Sequence, residues 1–433
     1  MGTILFYSTF FSTTASSLVK PWIGIMAYYL LAILGPQYIW WWHFDGLRAS
    51  LWVAVFTLGG IALQIGQNNY DFSFLKTKQN LWLALLWLCI SLSYYFGPYV
   101  AKFDSYVLSP DQLFSITNSI FLFYFCASLI INDLKKVSYL GIIMIISAGY
   151  LIYWANSQYL NSNWEQFNMG RLMGPESVNG SSIYRDENTF AMLFVTGLPF
   201  IYYLGHEIKQ NYLKYLLWCL IPLGCHAVFL TGSRGGLVGL CVLVLLGFYR
   251  TKHKFMAIPL IILFVLFYQW QAGSVMKERA DTISEYESET SAEMRLTAWK
   301  GGLRIMESHP LIGVGLGSYI TALPDFIESS PRVAHNTFMQ FAAESGVGAG
   351  ICYLVIVYLF FRNSKRIRVW CSENSKNIIS SRIGHYNDAC TLSFAGLTVC
   401  SLFLSLNTYE IYYFLLLISN ALFVMISKPF VEA

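Results

Sequence analysis

CLIPLGCHAVFLTGSRGGLVGLCVLVLLGFYR, residues 219–250, consists of two apolar runs separated only by TGSRGG. Taken as 212–230 and 234–250, the runs make helices of roughly 28 and 25 Å at 1.5 Å per residue, close to the roughly 30 Å of a bilayer core. An arginine placed in so short a break sits near hydrocarbon, where a guanidinium costs several kcal/mol on insertion scales. Such a residue calls for an explanation from chemistry.

The rest of the chain repeats this pattern. Of its 433 residues, 56% are hydrophobic, 17% aromatic and only 12% charged, against about 25% charged in a soluble domain. The reading is an all-α polytopic integral membrane protein of about 12 transmembrane helices. It forms one transmembrane domain over 1–433, with no soluble domain to split off. Spans are predicted near 3–18, 21–35, 50–66, 80–97, 115–131, 137–155, 188–204, 212–230, 234–250, 254–270, 334–361, 388–405 and 411–427. The first two are short and flank Lys20-Pro21, which leaves open whether they cross or form a shallow hairpin. Thr3–Leu18 has no basic leader and a Ser/Thr-rich second half, so it is expected to stay uncleaved.

Lys and Arg alternate between loops. Lys76 and Lys78, Lys135 and Lys136, Lys209 and Lys214, and the basic blocks after 250 and 362 fall in one set. Arg48, Lys102, Arg171, Arg185 and Arg234 are thinly spread over the other. By the positive-inside rule the sparse set is external. That places the long segment 271–333 outside, together with the loops near 155–187 and 231–234. The basic residues therefore report orientation, and nucleic acid is not expected as a partner. The nine cysteines are scattered without C-x-x-C or Cys/His spacing, which fits small buried hydrophobes better than a metal or disulfide framework.

The long segment begins polar, in KERADTISEYESETSAE. It then places Met294, Leu296, Trp299, Leu303 and Met306 at near-helical spacing. An amphipathic helix over 292–307 on the external surface is predicted, stopped by Pro310 and followed by the glycine-rich LIGVGLGSY.

Four features share this external face: Arg185 in YRDENTF, Arg234 in TGSRGG, the glycine-rich HPLIGVGLG, and His335-Asn336 in AHNTFMQFAAESG. Arg234 either snorkels to headgroups or binds phosphate through its planar fork. In the second case Gly232, Gly235 and Gly236 would open backbone N–H groups to the same anion. Arg185 either pairs with the acids beside it or meets substrate. Asp186-Glu187 ranks lower as a magnesium site, because no second acidic cluster lies near it. His335 either faces headgroups or accepts a proton from a hydroxyl at neutral pH. Asn336 either caps a helix or holds a sugar hydroxyl. Glu344, nine residues on, lies on the opposite helix face from His335.

Together these stretches resemble the superfamily of O-antigen ligases and Wzy-type O-antigen polymerases. The resemblance runs from about Arg185 to Arg362, as an ordered series of RDENTFAM, TGSRGG, HPLIGVGLGSY and AHNTFMQFAAESGVGAG. KPW after the first apolar segment and RDENTFAM are similar to the exosortase-associated O-glycosylation ligase branch. The resemblance implies a bacterial inner-membrane glycosyltransferase with its active site on the periplasmic face. It implies transfer with inversion and without a metal or other cofactor. The donor would be a polyprenyl-pyrophosphate-linked glycan, and the acceptor a hydroxyl of lipid A core, protein or glycan. Its S-R-G arginine matches Arg234, its H-N histidine matches His335, and Arg185 is the best match for the upstream arginine.

Elementary chemistry points the same way. A sugar on pyrophosphate already carries a good leaving group, so the protein must neutralise charge, align the acceptor and take its proton. Arg234 and Arg185 on the pyrophosphate, His335 as general base and Asn336 on the sugar would suffice. A transporter is the reading from another class, with His226, Asn407 and Glu410 as pathway residues. The pseudo-symmetric halves expected of one are not visible in the sequence.

Overall fold

Asp186 opens a deeply buried helix, Glu187–Gly205: its carboxylate accepts the Thr189 N–H at 2.7 Å and so caps the first turn. Phe190 to Pro199 are buried without interruption. A helix apolar on every face belongs inside a bundle rather than at its surface, and this one packs along Ile378–Cys400, Leu134–Leu160 and Leu220–Thr231. The Ser393 hydroxyl bonds the Thr196 carbonyl at 2.6 Å across the first of these contacts. Helix Arg234–Arg250 closes on the same element, with no room at Gly236, where a Cβ would lie 2.6 Å from the Ala191 methyl.

The computed structural model describes residues 2–67, 70–104, 108–177, 180–250, 262, 266, 287–328 and 330–428. Among them five helices are long and apolar enough to cross a membrane: Pro110–Ile130, Leu134–Leu160, Glu187–Gly205, the Asn211–Thr231 pair and Val347–Glu373. Shorter apolar helices are Pro21–Ile33, Ala49–Ile65 and Glu410–Ile426. Among the described residues, sheet is confined to two antiparallel hairpins, Phe167–Asn168 with Arg171–Leu172 and Glu176–Ser177 with Gly180–Ser181. The predicted span 254–270 and most of KERADTISEYESETSAE lie outside the described residues.

Two predicted spans are broken. The stretch 212–230 forms Asn211–Trp218 and Leu220–Thr231, joined at Cys219. The stretch 334–361 forms a short helix, Thr337–Ser345, and a long one, Val347–Glu373. Gly346 makes that second break at φ +85°, where a Cβ would also strike the Leu311 carbonyl oxygen. The long crossing therefore starts at Val347, and His335 stands ahead of a separate short helix.

The amphipathic helix runs over Glu287–Ser308 and ends two residues before Pro310. Its buried side differs from the predicted stripe. Ala298 and Ile305 are buried, while Leu296 and Leu303 are about half exposed. Ile305, Trp299 and Met306 form a small second core with Val314, Tyr319, Leu323, Ala334 and Met339. This core fixes the helix over the segment that leads to His335.

Candidate functional site

Two cavities meet at this helix. The larger, of about 430 Å³, is lined by Arg171, Glu187, Asn188, Gly232, Arg234, Gly235, Val238, Met294, Arg295, Phe403 and Leu404. The smaller, of about 290 Å³, is lined by Met294, Arg295, Ser330, Pro331, Arg332, Val333 and His335. Met294 and Arg295 line both, so the two spaces lie side by side.

The Arg234 corner is built by local chemistry. Gly232 ends helix Leu220–Thr231 in the left-handed region at φ +60°. Ser233 then caps the next helix, its hydroxyl accepting the Gly236 N–H at 3.0 Å and donating to Asn188 Oδ1 at 2.8 Å. The Gly236 N–H is thereby occupied and does not face an anion, whereas Gly232 and Gly235 line the cavity. Arg234, at the first turn of helix Arg234–Arg250, is exposed into it.

The RDEN stretch forms the opposing wall. Glu187 pairs with Arg171 at 3.0 Å, Asn188 holds Ser233, and Asp186 caps its own helix. Arg185 turns away, pairs with Glu176 at 3.3 Å and lines neither cavity. The arginines that do line the larger cavity with Arg234 are Arg171 and Arg295. Among the described residues, neither Arg234 nor Arg295 has a carboxylate partner. Burial and the nearby Arg234 both act against the charge on Arg295, so an anion between them would relieve an existing strain in the field.

The other side of the site hangs on the loop after helix Ile378–Cys400. Thr337 is bonded to it three times: its N–H to the Ser401 carbonyl at 2.9 Å, its hydroxyl to the Leu404 carbonyl at 2.7 Å, and the Leu406 N–H to its hydroxyl at 3.0 Å. The Asn336 amide donates to the Leu402 carbonyl at 3.2 Å, and its Oδ1 accepts the Met339 N–H at 2.9 Å as the cap of helix Thr337–Ser345. Both ends of that amide are committed to structure. The stitching also sets Phe403 and Leu404 as an apolar wall facing the arginines.

His335 lines the smaller cavity with its backbone at φ +46°, a left-handed conformation uncommon outside glycine. The preceding Ala334 is held from above, its carbonyl accepting the Trp299 indole N–H at 2.9 Å. Burial pushes the imidazole below its ordinary value of 6.5. Arg295 and Arg332 push the same way, and Asp186 opposes them. The ring is therefore neutral at neutral pH, the state needed to accept a proton. Glu344 is remote from this chemistry: its buried carboxylate accepts the Tyr319 N–H at 3.3 Å and a bond from the Gln340 amide.

Arg171, Arg295 and Arg332 escaped the sequence reading. Arg295 looked like the solvent face of an amphipathic helix. Arg332 had one available signal, its position three residues before His335.

Fold and site define the class of a helical membrane protein with a guanidinium-lined, partly apolar cavity next to one lined by a neutral histidine. The family model described as O-Antigen ligase (Wzy_C) matches residues 218–354. This supports placement in the O-antigen ligase superfamily, and the matched segment includes Arg234, Arg295, Arg332 and His335. The comparison with curated proteins gave no match.

Proposed function

We propose that this protein transfers a glycan from a polyprenyl-pyrophosphate donor to an acceptor hydroxyl. The observation that carries the proposal is the pair of adjacent cavities. One sets Arg234 and Arg295 against Val238, Phe403 and Leu404, and the other ends at His335. A lipid pyrophosphate is a strong dianion on an apolar chain, and the larger cavity offers complementary surfaces to both parts.

In this mechanism the acceptor O–H gives its proton to His335 as its oxygen attacks the anomeric carbon from the face opposite the pyrophosphate. The bond from that carbon to the phosphate oxygen breaks, a glycosidic bond forms with inverted configuration, and polyprenyl pyrophosphate leaves. Arg234 and Arg295 neutralise the charge that grows on the leaving group, which lets the step proceed without a metal. Arg295 takes the role first given to Arg185, and Asn336 acts as a cap that aims the short helix.

The setting we propose is the bacterial inner membrane, with about 12 crossings in a single transmembrane domain. The distribution of Lys and Arg supports a periplasmic site and a periplasmic 271–333 loop. The proposed acceptor is a hydroxyl of lipid A core, protein or glycan. KPW and RDENTFAM favour the exosortase-associated O-glycosylation branch.

The test is transfer from a polyprenyl-pyrophosphate-linked glycan by purified protein. A single addition to core or protein marks a ligase, and a ladder on the polyprenyl carrier marks a polymerase. His335→Ala is expected to lower the rate by roughly 10²–10⁴ with the fold intact. Full transfer by that variant removes the base from the mechanism.

A further inference from the structure

We propose that the smaller cavity is an acceptor subsite selective for anions: the hydroxyl that is glycosylated belongs to a molecule carrying a phosphate or carboxylate close by, and Arg332 reads that group. The proposal rests on the transfer reaction above and names the class of its acceptor.

The lining has two guanidiniums and one imidazole, and no carboxylate among the described residues. The larger cavity, by contrast, contains Glu187, which answers Arg171. In the donor site proposed above Arg234 and Arg295 answer the pyrophosphate, which leaves Arg332 without a donor role. Its guanidinium is presented by Ser330, through Nε to the backbone carbonyl at 3.3 Å and Nη2 to the hydroxyl at 2.5 Å. Among the described residues Nη1 has no protein partner, and it remains to donate to an anion.

A neutral sugar hydroxyl needs no cation beside it, and a cation near the base weakens the base. Arg332 does depress the basicity of His335. An anion bound at Arg332 cancels that effect, so an acceptor of the right class restores the base that removes its own proton. Arg332 is then a specificity-determining residue with two signatures, acceptor affinity and the position of the acid limb.

The same positive charge has a second conceivable owner, the donor's own pyrophosphate reaching past Arg295, and the experiment separates the two. Full-length protein in detergent is titrated with methyl β-glucuronide, methyl glucoside 6-phosphate and neutral methyl glucoside. Farnesyl pyrophosphate serves as a separate probe of the larger cavity. At least one anionic glycoside is expected to bind about tenfold or more tightly than the neutral one, as one charge-assisted bond supplies. Which of the two binds better distinguishes carboxylate from phosphate.

Arg332→Gln is expected to erase this preference and leave farnesyl pyrophosphate binding unchanged. Arg332→Lys keeps charge without the fork and narrows the preference severalfold, which keeps the test usable if the glutamine variant misfolds. Equal binding of all three glycosides overturns the proposal, as does a preference that survives Arg332→Gln. Competition between glycoside and farnesyl pyrophosphate, with loss of the latter in Arg332→Gln, hands Arg332 to the donor and also overturns it. Failure of wild-type protein to bind farnesyl pyrophosphate, with the anion preference intact, instead removes the donor assignment.

Discussion

Helix Arg234–Arg250 carries an arginine at each end, and the two ends are treated oppositely. At its last residue Arg250 bonds Asp388 at 3.3 Å, and Arg368 reaches the same carboxylate at 2.6 Å. Beside them Arg382 and His385 share Glu207. At its first residue Arg234 faces a cavity with Arg295, and neither has an acid among the described residues. An arginine that ties helices together is given its counter-ion by the fold. One that binds an anionic substrate must be left without it, at a cost in field energy that the ligand later offsets.

The comparison is tested most sharply by the same substitution at both ends. Arg234→Gln is expected to weaken polyprenyl-pyrophosphate binding by about tenfold to a hundredfold, the loss of a charge-assisted hydrogen bond. Its melting temperature should hold. Arg250→Gln should do the reverse, leaving Asp388 with one partner, lowering the melting temperature and sparing binding. Parallel effects in calorimetry and ligand titration would erase the distinction.

A smaller effect lies in the pH profile. The base must be neutral, so transfer is fully present above the pKa of His335 and is lost as pH falls through it. Burial and Arg295 hold that pKa below 6.5, which sets the acid limb below 6.5 in the wild type. Arg295→Gln removes a positive neighbour and should move the limb upward. A limb that stays in place would separate Arg295 from the imidazole.

Asn336→Ala comes next, with a loss of about 1 kcal/mol of stability from the missing cap and acceptor affinity unchanged. Weakest of all should be Arg185→Ala. Its pair with Glu176 is exposed on both sides, and such pairs contribute at most about 1 kcal/mol. A large loss of donor binding there would return Arg185 to the site.

This contrast between the two ends could not be read from the sequence. Hydropathy reveals which segments are apolar, because burial of a whole helix leaves no polar face to find. It also placed the helix over 292–307 near its observed position. Pairing of arginines depends on which loop meets which, and it assigned Arg185 to Glu176 and Arg171 to Glu187 by hairpin geometry that no local pattern encodes. The break at Gly346 did leave a trace. A helix over 334–361 would be roughly 42 Å long at 1.5 Å per residue, more than a crossing needs, and SGVGAG sits at its weak point. The loop Ser401–Leu406 had no motif at all, yet it supplies the apolar wall and the anchor for Thr337.

The left-handed backbone at His335 carries a consequence for selection. Glycine adopts φ +46° without the penalty that a side chain brings, and a strained non-glycine residue costs on the order of 1–3 kcal/mol. His335→Gly is therefore expected to melt higher than the wild type and to lose roughly 10²–10⁴ in transfer rate. A screen that rewards thermal tolerance alone would discard the histidine, and a screen for glycan transfer would retain it.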